Sequence, residues 1–426
     1  MMFRRKSKAA AAFAAVALLA AACGADEPAA PAAPDAPAPA PAPEPAADAL
    51  RLGYILPETG QLAFLGPPMI SGTELAVQEI NDAGGVLSNP IELLSGDEAG
   101  DAGRAAEEAT RLLASGVQAI IGAAATGMTM AIIDQVTSAG VVQCSPSNTG
   151  IGLTVQPDNG GFYFRTAPSD VLQAPVMADT VVNAGYEDIA VTARADDYGV
   201  PFLEETVRQL ESRGANVVYS DPYDPEAATF DSVVDGMIAS GAEAFVLITF
   251  IEGAQITAGL LSAGIAPTQL FGGDGIAGAS FADEFPSADV LEGMRFTAAT
   301  TVVPEDFNDR LLEFNPALVD FLYAANSYDC VNIVALSAVA AGSTDSAAIR
   351  DQMIPVTRGD NECGSFTECV EFLNAGQTIA YQSANGGPLN FVEVREGGGE
   401  PSRGTIRVSE WIDGEYTAIA EVAGDL

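Results

Sequence analysis

Between Leu50 and Met294, apolar β-like runs alternate with helix-like segments bounded by Gly, Asn and Pro, in two consecutive series of similar length. A strand, a helix and a further strand close into a parallel sheet through a crossover, so this alternation restricts the chain to α/β architecture. The first series places strands at 50–56, 91–94, 117–122 and 141–145, with helices at 72–85, at 102–115 and from Thr126. Leu75, Ala76, Ile80 and Ala83 fall mainly on one face of the first of these helices. The second series follows YFRTAPSD (163–170), with helices at 171–184, 200–213, 227–240 and 252–264 and strands at 188–193, 216–219, 244–249 and 269–273. Two such series predict two similar lobes, each a mostly parallel sheet flanked by helices. The stretch from Leu50 to Leu426 is also too long for one ordinary core.

Beyond Met294 the run FTAATTVV (296–303) reads as another strand, and a long helical region follows through Tyr323 to Ala341. From Tyr381 onward, Gly, Asn and Pro punctuate short β-like runs, and the DG pair within GTIRVSEWIDGEY predicts a hairpin.

The N-terminus has a different character. Arg4, Arg5, Lys6 and Lys8 precede an apolar run from Ala9 to Ala22, the layout of a secretory signal peptide over residues 1–22. That run is shorter than the roughly 20 residues that a bilayer core requires. The segment LLAAACG resembles the lipobox of bacterial lipoproteins, although Leu19 sits one place further from the Cys than is usual. The resemblance implies lipidation of Cys23 and attachment to the outer face of a membrane; the alternative is an ordinary signal peptide with an incidental Cys. Residues 23–49 are dominated by Ala, Pro, Asp and Glu, a composition that cannot bury a core and favours an extended linker.

Composition narrows the chemistry. The chain has no His, which excludes Ser-His-Asp and Cys-His nucleophile arrangements and His-ligated metal sites. Its 58 Asp and Glu against 18 Lys and Arg repel nucleic acid and anionic membranes, and fit a salt-adapted or generally acidic proteome. Neither a GxSxG elbow nor a GxxxxGK[ST] loop occurs, and no metal or cofactor is expected. Cys363 and Cys369, six apart in RGDNECGSFTEC, are expected to pair in an exported chain, whereas Cys144 and Cys330 are either a second disulfide or buried free thiols.

Seven segments occur in order along the chain: PETGQLAFLGPPMISGTELAVQEINDAGG, IIGAAATGMT, SPSNTG, FRTAPSD, DDYG, FGGDGIAGASF and YQSANGGPLNF. With them the sequence resembles the branched-chain amino-acid-type substrate-binding proteins of ABC importers. The resemblance implies a type I clamshell with three crossover strands, in which lobe one holds 50–167 and 296–403 and lobe two holds 168–295 and 404–426. It implies a monomeric receptor rather than an enzyme, delivering a small zwitterionic ligand to a permease and its ATPase. On the family pattern, Thr126 and the turn Ser147, Asn148 and Thr149 hold the ligand carboxylate, and Asp274 pairs with the ammonium. Phe64 or Leu65, Tyr198 and Phe250 complete the cleft.

The residues themselves support this assignment of roles. Thr126 opens a helix, where free N–H groups favour an anion, although its hydroxyl could instead cap the helix. Asp274 stands at the C-terminal end of a strand, where open α/β sheets place their ligands, among Gly272, Gly273 and Gly275. Ala123, Ala124 and Ala125 leave room beside Thr126. Two other readings remain: a sensory receptor on the same fold, and a secreted α/β hydrolase working through a pair of carboxylates.

Overall fold

The computed structural model describes residues 49–155, 160–394 and 398–426. The expected signal peptide, Cys23 and the linker up to residue 48 lie outside the described residues.

In chain order the first elements are β1 (Arg51–Ile55), α1 (Gly66–Asp82), β2 (Glu92–Leu94), α2 (Ala102–Ala114), β3 (Ala119–Gly122), α3 (Thr126–Ser138), β4 (Val142–Ser145), the single turn α4 (Gly152–Val155) and β5 (Tyr163–Arg165). The second set is α5 (Asp170–Asn183), β6 (Asp188–Arg194), α6 (Gly199–Ser212), β7 (Asn216–Tyr223), α7 (Asp231–Ala239), β8 (Ala244–Ile248), α8 (Gly253–Ser262), β9 (Leu270–Gly272) and β10 (Arg295–Ala298). The remainder comprises α9 (Glu305–Phe314), α10 (Ala324–Ala341), α11 (Ser346–Met353), β11 (Asn361–Cys363), α12 (Phe366–Asn374), β12 (Ile379–Tyr381), β13 (Phe391–Glu393), β14 (Gly399–Pro401), β15 (Arg403–Ile412) and β16 (Glu415–Asp425).

Two seven-stranded sheets result, in the orders β2-β1-β3-β4-β5-β14-β13 and β7-β6-β8-β9-β10-β15-β16. The orders correspond strand for strand, the structural counterpart of the two sequence series. Within each, the five strands of the series pair in parallel, while β13 against β14, and β15 against β10 and β16, are antiparallel. Strands buried on both faces, such as AIIG of β3 and AFVLI of β8, are continuous apolar runs for that reason. The chain passes to the second sheet after β5, returns after β10 and crosses again between β14 and β15, so three segments join the lobes.

The return crossing lies a few residues later than expected. FTAATTVV reads as one strand of lobe one, but only Arg295–Ala298 finds partners, and these are β9 and β15 of the second sheet. Residues from Ala299 onward form the crossing, and β15 begins at Arg403 rather than at 404. Nothing in the apolar run itself marks where the neighbouring strands end.

Helix α10 is buried throughout from Ala324 to Ala338, polar Asn326, Asp329 and Asn332 included, because it is covered by α1, α11, α12 and the sheet. Cys330 on this helix is bonded to Cys144 in β4, and Cys363 is bonded to Cys369. The expected short-range pair therefore forms, and the alternative left open for Cys144 and Cys330 resolves to a disulfide. Asp413 and Gly414, both with positive φ, make the two-residue turn between β15 and β16. Among the described residues no single helix is long and apolar enough to cross a membrane, and no cluster of His, Cys, Asp and Glu could hold a metal ion.

Candidate ligand-binding site

The C-terminal ends of both sheets face a common small cavity of about 20 Å³, lined by Leu62, Leu65, Ala124, Ala125, Thr126, Ser147, Thr149 and Tyr323 from one lobe and Tyr198, Phe250, Asp274 and Gly275 from the other. Parallel strands deliver their following loops to one edge, so β3, β4, β6, β8 and β9 all contribute. A larger groove of about 520 Å³ runs along the crossing segments beside Thr300, Asn326 and Asn385. No buried ionisable side chain lines it, so the smaller cavity, with the buried Asp274, is the candidate site.

Asp274 dominates one side of the cavity. It is 5% exposed; its Oδ1 accepts from the Tyr198 hydroxyl at 2.7 Å and from Gln173 Nε2 at 3.2 Å, and its Oδ2 accepts from the Tyr323 hydroxyl at 2.9 Å. Burial pushes the carboxyl upward and the three donors oppose that shift. Both phenols are pushed well up by burial and by the Asp274 charge, so they remain donors. Tyr323 reaches across from the other lobe and holds a left-handed backbone conformation, φ 60°, at the start of α10. A left-handed non-glycine residue costs on the order of 1 kcal/mol or more, so packing around the Tyr323 ring must hold it there.

The opposite side carries hydroxyls. Ser147 donates to the carbonyl of Ala124 at 3.1 Å, and Thr126 Oγ1 accepts the Gly150 amide at 3.3 Å. Ala125, not Thr126, is the N-cap of α3, so Thr126 is the first helical residue; it lines the cavity, and its hydroxyl does not cap the helix. A Cβ at Gly150 would lie 2.4 Å from Thr126 Cγ2, so only glycine permits this approach. The amides of Ala124 and Ala125 are already occupied: the buried Glu98 carboxyl accepts both, at 2.7 and 3.2 Å. Burial pushes Glu98 up to about 8, against the pull of those two amides. Only the N–H groups from Thr126 onward are left for an anion, fewer than a bare helix start offers.

The turn that bears Ser147 and Thr149 is anchored from behind. Arg165, fully buried, pairs with the equally buried Glu400 of β14 and donates to the carbonyls of Asn148 and Gly150 at 3.3 and 3.1 Å. In the second lobe the Phe250 ring stacks on Tyr198, with centroids 5.4 Å apart, and the Arg194 guanidinium lies 3.6 Å from its centre. Arg194 is in turn held by Asp196 and Glu252. Phe250 is thus fixed between a phenol and a cation, with one edge left to the cavity.

Of the residues singled out in the sequence, Leu65, Thr126, Ser147, Thr149, Tyr198, Phe250 and Asp274 line this cavity. Two do not. Phe64 is partly buried against the core, and Leu62, one turn before Leu65, lines the cavity with it. Asn148 turns its side chain to the Ala124 carbonyl at 2.7 Å and to the Tyr163 hydroxyl at 2.8 Å, bracing the loop instead of the cavity. Sequence reasoning missed Tyr323, Gln173 and Glu98. Tyr323 is remote in sequence from every other lining residue, and only a Tyr before a long apolar helix could have drawn notice.

A family model for periplasmic binding proteins matches residues 49–367. The chain belongs to the periplasmic binding protein family. Among relatives, the Leu/Ile/Val-binding protein homolog 3 of Brucella melitensis is 28% identical over 317 residues, spanning 70% of this chain and 81% of that protein. The substrate-binding protein BasB of a chemotactic signal transduction system in Halobacterium salinarum is 25% identical over 348 residues, spanning 79% of this chain and 82% of that one. The structure is similar to that of the branched-chain amino acid transporter protein LivJ from Streptococcus pneumoniae in complex with isoleucine, at TM-score 0.71 and 24% identity over 89% of this chain and 100% of that one. A solute-binding protein from R. palustris in complex with 4-hydroxybenzoate has the same fold, at TM-score 0.70 and 14% identity over 89% of this chain and 97% of that one. These relatives are binding proteins rather than enzymes, and the periplasmic binding protein fold alone admits ligands of different chemistry.

Proposed function

We propose that this periplasmic binding protein is an extracytoplasmic, lipid-anchored receptor that captures a small zwitterionic amino acid between its lobes and presents it to an ABC-type permease. The observation that carries this reading is the polarity of the cavity. One side presents the buried Asp274 carboxylate, held by three donors, and the other presents Thr126, Ser147 and Thr149 beside the first turn of α3. An ammonium and a carboxylate on one small molecule satisfy both sides at once, and the apolar Leu62, Leu65 and Phe250 are suited to contact an aliphatic side chain once the lobes part to admit it. Similarity to Leu/Ile/Val-binding proteins supports the same class of ligand. Closure removes water from both charged contacts, which strengthens them.

Thermal-shift screening of amino acids, amides, urea and aromatic acids tests this reading, because a ligand that binds only the folded state raises its melting temperature by mass action. Stabilisation by aliphatic amino acids is expected. A response to 4-hydroxybenzoate and to no amino acid would sink the zwitterion assignment. Similarity to BasB favours one second reading, a receptor that reports its ligand to a signalling partner. Co-purification with a permease and ATPase, against co-purification with a transducer, separates the two.

A further inference from the structure

Tyr323 is carried across to Asp274 by the segment that precedes α10, and that segment meets the second lobe at a charged residue. Asp320 Oδ1 accepts the amides of Phe321 and Leu322 at 2.9 and 3.3 Å, a local turn that leads the chain into Tyr323. Its Oδ2 lies against the loop between β9 and β10, the loop that carries Asp274: a Cβ on Gly278 would be 2.3 Å from it. Gly278 has φ −145°, a conformation open to any residue, so the approach of Asp320 is what a side chain there would violate. One carboxylate thus shapes the tyrosine of the first lobe and touches the acidic loop of the second.

That contact is unfavourable to a charge. Asp320 Oδ2 is buried with no hydrogen-bond partner of normal geometry among the described residues. Burial pushes the carboxyl upward; the amides of Phe321, Leu322 and Ser280 and the charge of Arg407 oppose that shift without cancelling it. Arg407, from β15, has its own Nε buried without a partner among the described residues, and its guanidinium lies 5.8 Å from the centre of the Tyr416 ring. Burial keeps Tyr416 a neutral phenol, so it adds no compensating charge. Parting the lobes separates Asp320 from Gly278 and returns Oδ2 to water, whereas closing them strips that water away with little in exchange.

Resting on the capture reading above, we propose that Asp320 is a positioning residue that acts as a brake on the cleft: its carboxylate is dehydrated against Gly278 each time the lobes close, which keeps the ligand-free protein open. A ligand that bridges Asp274 and Thr126 offsets that cost, so closure follows capture instead of preceding it. Affinity is lowered in proportion to the closed fraction of the free protein, and release of the ligand is made easier by the same amount. Asp320 does this without touching the ligand, through Tyr323 on one side and the Asp274 loop on the other.

Asp320→Asn keeps the side-chain oxygen that accepts the two amides and removes the charge. Calorimetric titration with L-leucine is expected to show binding about threefold to tenfold tighter than in the wild type, where a merely structural residue would weaken it. Gly278→Ala crowds the carboxylate and is expected to weaken binding by a similar factor, an effect that disappears when it is combined with Asp320→Ala. A second measurement needs no ligand. A Cβ on Gly127 would lie 3.8 Å from Asp197 Oδ2 of the other lobe, so Gly127→Cys with Asp197→Cys cross-links in oxidised glutathione at a rate set by the closed fraction. That rate is expected to rise when Asp320→Asn is added and to fall when Gly278→Ala is added. Weaker leucine binding in Asp320→Asn, or cross-linking no faster than in its absence, overturns the proposal. If leucine gives no heat with the wild type, the ligand reading fails instead, and the cross-linking rates alone decide on the brake. If Asp320→Asn does not fold, the rate with Gly278→Ala decides, and an unchanged rate overturns the proposal.

Discussion

At the scale of single residues, Asp274 carries the most weight. Asp274→Asn is expected to weaken amino-acid binding at least tenfold, the equivalent of about 1.5–3 kcal/mol for a lost charge-assisted hydrogen bond, with unchanged circular dichroism. Calorimetric titration against the wild type checks it. Asp329 makes a separate prediction. It is fully buried on α10, accepts from the Tyr381 hydroxyl and the Ala384 amide at 2.8 and 2.9 Å and from the Ser383 hydroxyl, and burial pushes it up to about 7. The unfolded carboxyl ionises near pH 4, so between about pH 4 and 7 the folded state binds the extra proton and stability falls as pH rises. Asp329→Asn should flatten that fall, by a few kcal/mol across the window, in urea titrations at pH 4.5 and 7.5. Asp274 was legible in the sequence because glycines and a preceding strand flag it. Asp320 and Asp329 were not, because their state depends on burial and on neighbours far away in the chain.

At the scale of elements, the expected strands and helices of both series correspond to observed ones, because their boundaries are written in Gly and Pro and their interiors in apolar period. What joins elements was less legible. The Cys144–Cys330 bond ties β4 to α10 across a sequence separation of 186. Closing so long a loop restricts the unfolded chain, and its loss through Cys144→Ala with Cys330→Ala is expected to cost about 2–5 kcal/mol, read as a lower denaturant midpoint. The Arg165–Glu400 pair likewise joins β5 to β14 and holds the turn with Ser147 and Thr149. Arg165→Ala leaves Glu400 buried and unpaired, so a loss of about 3–5 kcal/mol is expected. Pairing Arg165→Met with Glu400→Leu should recover most of the stability but not the ligand affinity, since the turn has lost its anchor.

At the scale of the whole molecule, net charge outweighs any single contact. The formal net charge is −40, and after Lys8 the chain contains no Lys, so every cationic side chain of the folded part is an Arg. Many of these are committed to carboxylates in ion pairs, such as Arg104 and Arg111 on Glu108 and Arg310 on Glu79. The remaining surface repels itself, and the Debye length falls from about 10 Å at 0.1 M salt to about 3 Å at 1 M. The melting temperature is therefore expected to rise by at least a few degrees between those concentrations in a thermal scan, against little change for a protein of balanced charge. A melting temperature that falls with salt would contradict the reading of this surface as salt-adapted.

The alternation of apolar strands with amphipathic helices determined the class of fold and the duplication into two lobes, because hydrogen-bonded period and burial pattern are local properties of the chain. Local signals also located the strand-end loops that carry Thr126, Thr149 and Asp274. Only the tertiary structure decided which of those loops meet. It turned Asn148 away to brace a carbonyl, gave the amides of Ala124 and Ala125 to Glu98, brought Tyr323 across from a distant part of the chain, and buried the Asp170 carboxyl with no hydrogen-bond partner of normal geometry among the described residues. Those outcomes depend on long-range register, on the three crossings and on desolvation, none of which is encoded at any one position.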